Sequence, residues 1–143
     1  MSSTSIPDGV TFFAPGTPAP QGSKVRTRYG MRESSQRVGP WRDAVEQAAT
    51  EVMSRRYLFL PIRPPYKVRI VFLIKRPRVT KHRAPVAPTI GDLDKLARAT
   101  HDALTDAGLI EDDRFIIRAE QVKRWARVDE TPGAYIAVTE TTL

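Results

Sequence analysis

GDLDKLARATHDALTDAGLIEDD, residues 91–113, is the stretch around which this chain is organised. Asp92 precedes an apolar pattern of helical period and suits an N-cap. The pattern runs to about Ala107, and Gly108 is the expected stop. At about 100° per residue, Leu96, Thr100, Ala103, Leu104 and Ala107 fall on one face. Asp94, Arg98 and Asp102 fall on the opposite face, one turn apart. The helix therefore buries one side and presents an acid–base–acid stripe on the other. Glu111, Asp112 and Asp113 then form an acidic turn.

Strand patterns flank this helix. Tyr66–Lys75 (YKVRIVFLIK) is rich in Val and Ile, and its continuous apolar centre predicts a central strand buried on both faces. Gly9–Ala14, Arg114–Ala126 and Ala134–Thr139 read as further strands, and Lys24–Tyr29 as a basic strand or arm. Pro40–Phe59 reads as the other helix, with Trp41, Val45, Ala48, Val52 and Phe59 facing the core and Pro61, Pro64 and Pro65 ending it. This order predicts an α/β (α+β) fold, a small mixed sheet with two main helices packed on it. A chain of 143 residues suits one domain, 1–143, in which 1–8 and roughly 23–39 are expected to be flexible.

Charge is divided unevenly along the chain. Residues 1–91 carry 16 Lys and Arg against 5 Asp and Glu; residues 92–143 carry 7 against 11. A basic half beside an acidic cluster points to a polyanion grip next to a cation pocket. Lys75, Arg76, Arg78, Lys81 and Arg83 crowd into nine residues that Pro77, Pro85 and Pro88 keep irregular. This loop leads directly to Asp92, and it is read as a phosphate contact, together with Lys24, Arg26 and Arg28. His82 adds one more phosphate contact at most. Cysteine is absent, which excludes disulfides, zinc-thiolate sites and a cysteine nucleophile. No apolar run approaches 18 residues, and no secretory signal opens the chain, so no membrane role and a cytoplasmic location are expected.

Asp92 and Asp94 would lie about 200° apart on a regular helix. They converge only if Asp92 sits in the extended lead-in. If the acidic turn folds back beside that lead-in, Asp113 joins them. Three carboxylates suit Mg²⁺, with Mn²⁺ able to substitute, rather than zinc. Such an ion activates water and polarises a phosphodiester. A calcium loop of the EF-hand type is rejected, because its fifth and sixth positions would hold Leu96 and Ala97 in place of an oxygen ligand and Gly. The competing structural reading makes Asp92 a simple cap and Asp112–Asp113 a polar turn.

DLDKLARATHDALTDAGLIEDD resembles the signature of RusA-type Holliday junction resolvases, many of them carried by bacteriophages. That signature opens Asp-x-Asp-Asn/Lys-Leu, places a Lys one turn on, continues Asp-Ala-Leu and Gly, and closes on Asp-Asp. The Pro-rich, basic opening APGTPAPQGSKVRTR and the downstream strand with Lys123 are similar as well. The resemblance implies an intertwined homodimer on a small α/β fold, a Mg²⁺-dependent endonuclease that nicks paired strands of a four-way DNA junction in recombination and repair. It implies that Asp92, Asp94 and Asp113 hold the metal and that Arg98 stands at the family's catalytic Lys. Arg keeps the cation but does not exchange protons near neutrality. Asp102 and Asp112 are assigned supporting roles, Asp102 orienting Arg98 across one helical turn. For a phage-borne gene the location is the host cytoplasm. The alternative is a non-catalytic protein that binds junctions or duplex DNA.

Overall fold

Tyr66–Ile74 (β4) is the strand on which the rest is assembled. A computed structural model of the chain describes residues 9–22, 24–27, 30–33 and 37–142, with 24–27 and 30–33 through their backbone alone. Gly9–Pro15 (β1), Ile116–Trp125 (β5) and Gly133–Glu140 (β6) join β4 in a four-stranded mixed sheet of order β1-β6-β4-β5. β6 runs antiparallel to both β1 and β4, while β5 runs parallel to β4. A parallel neighbour needs a long crossover, and residues 75–115 supply it. Lys24–Thr27 (β2) and Gly30–Glu33 (β3) form a separate antiparallel pair. Of the segment 23–39, residues 24–27 and 30–33 are thus strand, while 23, 28–29 and 34–36 lie outside the described residues. The segment 1–8 lies outside the described residues.

The expected central position of β4 is what the sheet order shows. Its burial differs from expectation. Val68, Ile70 and Phe72 are buried on one face, whereas Arg69 on the other is exposed and pairs with Glu120 of β5 at 3.5 Å. Only Phe72, Leu73 and Ile74 form a continuous buried run. The reason is that both helices pack on a single face of the sheet.

Val38–Arg55 (α1) begins two residues before Pro40. Pro40 is harmless there, because N–H groups of the first turn have no intrahelical acceptor. Trp41, Val45, Ala49 and Val52 are buried at helical spacing, and Ala48 packs beside them. Phe59 does not face the core: it lies beyond the helix and is 86% exposed. The helix stops well before Pro61, where Tyr57 takes a left-handed φ of 54° and turns Leu58 inward in place of Phe59.

Leu93–Ala107 (α2) matches the sequence expectation closely. Leu96, Thr100, Ala103 and Leu104 are buried, and Ala107 packs against the core. Burying each large apolar side chain stabilises by about 1.5–3 kcal/mol relative to exposure. Thr100, buried in this face, is satisfied twice: Oγ donates to Leu96 O at 3.0 Å and accepts from Trp41 Nε1 at 3.2 Å. Gly108 ends the helix with a left-handed φ of 80°. No helix among the described residues is long and apolar enough to cross a membrane.

Candidate active site

Three side chains on α2 share one stripe. Asp94, Arg98 and His101 are spaced four and three residues apart, which brings all three within about 40–60° of one another around the axis. The stripe faces the first half of β5. The register of the parallel pair puts Ala119, Gln121, Lys123 and Trp125 opposite Val68, Ile70, Phe72 and Ile74, on the face that carries the helices.

The acidic turn is tied back to this place by Tyr66. Its buried hydroxyl donates to Ile62 O at 2.6 Å and accepts from Glu111 N–H at 3.0 Å. Burial holds the Tyr66 hydroxyl above its ordinary range. Ile62 N–H in turn bonds Leu109 O at 2.9 Å. The Asp112 carboxylate accepts from Arg114 N–H at 2.9 Å and starts a short 3-10 turn at Asp113; that bond holds the Asp112 carboxyl below the usual carboxylate range. Asp113 is thereby aimed back at α2.

The result is a cleft of about 250 Å³ lined by Asp94, Arg98, His101, Asp113 and Gln121, with Ala97, Ile116 and Ala119 as its apolar floor. Asp94, Arg98 and Asp113 are exposed at the mouth, and His101 is half-buried. Burial lowers the pKa of His101, while the negative fields of Asp113 and then Asp94 oppose that shift. Burial raises the pKa of Asp102, and Arg42 lowers it more than Arg98 does. Asp102 and Arg98 make no ion pair within 4 Å, so the expected orienting contact is absent among the described residues.

The three expected carboxylates are placed unequally. Asp94 and Asp113 meet in the cleft. Asp92 takes the extended backbone of an N-cap, φ −77° and ψ 153°, makes no side-chain capping bond and does not line the cleft. Among the described residues, no three His, Cys, Asp or Glu side chains converge at metal-binding distance.

The basic loop lies at the other end of β5. Lys75, Arg76 and Arg78 line a larger concavity of about 640 Å³ with Thr80 and Arg127, while Lys81 and Arg83 are exposed outside it. One wall of that concavity is braced by Glu130, which accepts from Arg124 through both oxygens (2.7 and 2.8 Å) and from Arg127 N–H at 2.8 Å. These bonds, Arg124 first, hold the Glu130 carboxyl down to about 2. Trp125 Nε1 donates to His82 O at 3.0 Å, and Lys123 Nζ donates to Gly91 O at 2.9 Å. Gln121, Lys123 and Trp125 thus mark a line of about 13 Å from the cleft to the basic loop. Arg28 lies outside the described residues, and Lys24 and Arg26 belong to β2.

Sequence reasoning missed His101, Gln121 and Arg127. His101 carried a usable signal, since it extends the Asp94–Arg98 stripe at position i+7. Gln121 carried none: its place depends on the strand register.

No curated protein matches the chain. The sequence model of a protein family described as Endodeoxyribonuclease RusA matches residues 15–139, from the end of β1 through most of β6. Both helices and every residue of the cleft fall inside that span, and the chain belongs to the RusA endodeoxyribonuclease family.

Proposed function

We propose that this chain is a Mg²⁺-dependent, structure-selective endodeoxyribonuclease that resolves four-way DNA junctions by paired nicks. The observation that carries this reading is the meeting of Asp94, Asp113 and Arg98 in one cleft, at the end of a line of residues that starts in a basic loop. Asp94 and Asp113 fit Mg²⁺ by donor chemistry: both offer hard oxygen, and Mg²⁺ is commonly held by one or two carboxylates plus waters and substrate phosphates. When bound, the ion supplies Lewis-acid polarisation of the phosphodiester.

The chain's own residues do the rest. Arg98, exposed at the mouth, faces the negative charge that builds on the phosphoryl oxygens during attack by water. Lys75, Arg76, Arg78 and Arg127, with Lys81 and Arg83 beyond them, grip backbone phosphates and set the register of the strand. Asp92, at the lead-in of α2 two residues before Asp94, does not line the cleft, and the metal-binding role proposed for it rests on the family resemblance alone. A homodimer suits the reaction, because a four-way junction has two-fold symmetry and two coordinated nicks need two sites related by it.

One observation favours the rival reading, a junction- or duplex-binding protein without catalysis: three acids do not converge at metal-binding distance among the described residues. A single assay separates the two. A labelled four-way junction, a linear duplex and a single strand are each incubated with Mg²⁺ or with chelator. Symmetric, Mg²⁺-dependent nicks in the junction alone support the proposal. Binding without nicks supports the rival.

A further inference from the structure

Three large apolar side chains stand in solvent on the segment that joins α1 to β4: Tyr57 is 80% exposed, Phe59 86% and Leu60 61%. Single exposed apolar residues need no explanation, but a contiguous group marks a binding surface. The segment is held in place. Arg56 N–H donates to Val52 O at 3.0 Å, Tyr57 N–H to Ser54 O at 3.2 Å and Leu58 N–H to Met53 O at 2.9 Å. Leu58 and Ile62 are buried and anchor the residues between them. Neither the Tyr57 nor the Phe59 ring makes a ring contact among the described residues.

Charge and place narrow the partner. Residues 54–65 hold Arg55, Arg56 and Arg63 and no acid. All three are exposed; Arg63 pairs with Glu140 at 3.4 Å, while Arg55 and Arg56 make no ion pair within 4 Å among the described residues. Unpaired guanidinium groups are costly to bury against an apolar protein surface. They suit a polyanion that also offers flat apolar faces, which is the chemistry of a nucleic acid strand. The segment is bonded to the turn that carries Asp113. Ile62 N–H donates to Leu109 O, and the Tyr66 hydroxyl joins Ile62 O to Glu111 N–H. Along β4 it stands at the Tyr66 end, and the basic loop follows the Ile74 end about 26 Å away. Ala119 and Gln121 of the cleft are in register with Val68 and Ile70, between those ends. Base faces are hidden inside a duplex, so rings standing in water find a stacking partner only in a nucleotide outside the paired stack. We propose that Arg55–Arg63 is a second DNA contact, in which Tyr57 and Phe59 stack on unpaired nucleotides and Arg55 and Arg56 hold the adjoining phosphates. This assignment rests on the nuclease reading above and adds a substrate class to it: DNA with single-stranded nucleotides beside the paired arms.

The test measures binding of the full chain to a labelled single strand and to a duplex of the same length, in chelator so that cleavage plays no part. Cleavage of a four-way junction in Mg²⁺ is followed alongside. Phe59→Ala and Tyr57→Asn are each expected to weaken single-strand binding at least about fivefold, the low end for removing one base–aromatic stack, and to change duplex binding less than about twofold. Asn accepts the left-handed backbone at Tyr57, and both side chains are exposed, so melting temperatures stay within about 2 °C of the parent. Phe59→Trp keeps a stacking face and binds the single strand at least as tightly as the parent. Phe59→Leu is apolar without such a face and behaves as Phe59→Ala does. Replacing Arg55 and Arg56 by Ser lowers the slope of log affinity against log salt on the single strand by about 0.7 per lost phosphate contact. Parental single-strand binding by Phe59→Ala, rescue by Phe59→Leu, equal losses on duplex and single strand, or an unchanged salt slope overturns the inference. So does a change in association state with unaltered DNA binding, which would make the patch a protein interface. If the parent cuts the junction while Phe59→Ala binds the single strand as the parent does, this inference alone fails. If the parent neither binds DNA nor cuts the junction, the nuclease reading and this inference fail together.

Discussion

Gly91→Ala is expected to destabilise the fold and to disturb the entry to the cleft at the same time. Gly91 has a φ of +93°, a conformation that L side chains rarely adopt. A Cβ built there would lie 2.6 Å from Pro20 Cγ and 2.7 Å from Pro20 Cβ. Pro20 has little room to give way, because the next residue, Gln21, donates its N–H to Lys95 O in the first turn of α2 at 3.0 Å. Left-handed backbone in a non-glycine residue costs about 1–2 kcal/mol. Overpacking a tight contact adds about 1–3 kcal/mol. The sum is about 2–5 kcal/mol. A domain slightly under 150 residues loses about 4 °C of melting temperature per kcal/mol, so the shift is roughly 8–20 °C downward. Gly91 O also accepts from Lys123 Nζ, and Asp92 follows immediately, so strain relieved by moving Gly91 displaces the entry to the cleft. Thermal unfolding by circular dichroism measures the first effect, and junction cleavage at a temperature where the variant is folded measures the second. A melting temperature within about 2 °C of the parent, which is about 0.5 kcal/mol for a domain of this size, would refute the packing argument.

His101 is held below its unfolded value of 6.5 by burial, with Asp113 and Asp94 opposing. The unfolded chain therefore binds more protons than the folded one between the two pKa values, and stability rises with pH through that window. The contribution is complete above 6.5 and is lost as pH falls through the folded value. Melting temperature should drop below pH 6.5 in the parent and drop less in His101→Phe; equal slopes would contradict the assignment. Asp102 has the opposite sign: burial raises its pKa above 3.8, so its contribution is present below 3.8 and is lost as pH rises through the folded value. Asp102→Asn should flatten that part of the profile, and an unaltered profile would count against it. Replacing Arg76 and Arg78 by Ser should weaken binding to junction and duplex alike and reduce the slope of log affinity against log salt by about 0.9 per lost phosphate contact. An unchanged slope removes this loop from the DNA interface.

The legible parts of the chain were those governed by local chemistry. Gly108 and the apolar face of α2 obey stop and periodicity rules that act within a few turns, and they stand where expected; Asp92 occupies the expected N-cap position without making the side-chain capping bond. Phe59 misled because its spacing continued the α1 pattern past the true stop, which is set by the backbone at Tyr57 rather than by Pro61. The continuous apolar run of β4 suggested two covered faces, but a sheet with helices on one side leaves Arg69 in solvent. In the cleft, Asp94, Arg98 and Asp113 were readable from spacing and charge. Asp92 is not among the residues that line the cleft, because a residue in the extended lead-in need not turn toward the helical stripe that begins two positions later. His101 was overlooked although the stripe runs through it. Gln121 and Arg127 depend on how β5 registers against β4 and how the following turn is braced by Glu130, and neither is written in local sequence.

The central claim is that Asp94 and Asp113 act together on one phosphodiester. It is tested most directly by single-turnover cleavage of a labelled four-way junction in Mg²⁺ by Asp94→Asn and Asp113→Asn, with junction binding measured alongside. Each variant is expected to bind the junction as the parent does and to produce no symmetric nicks. Cleavage at the parental rate by either variant would contradict the account.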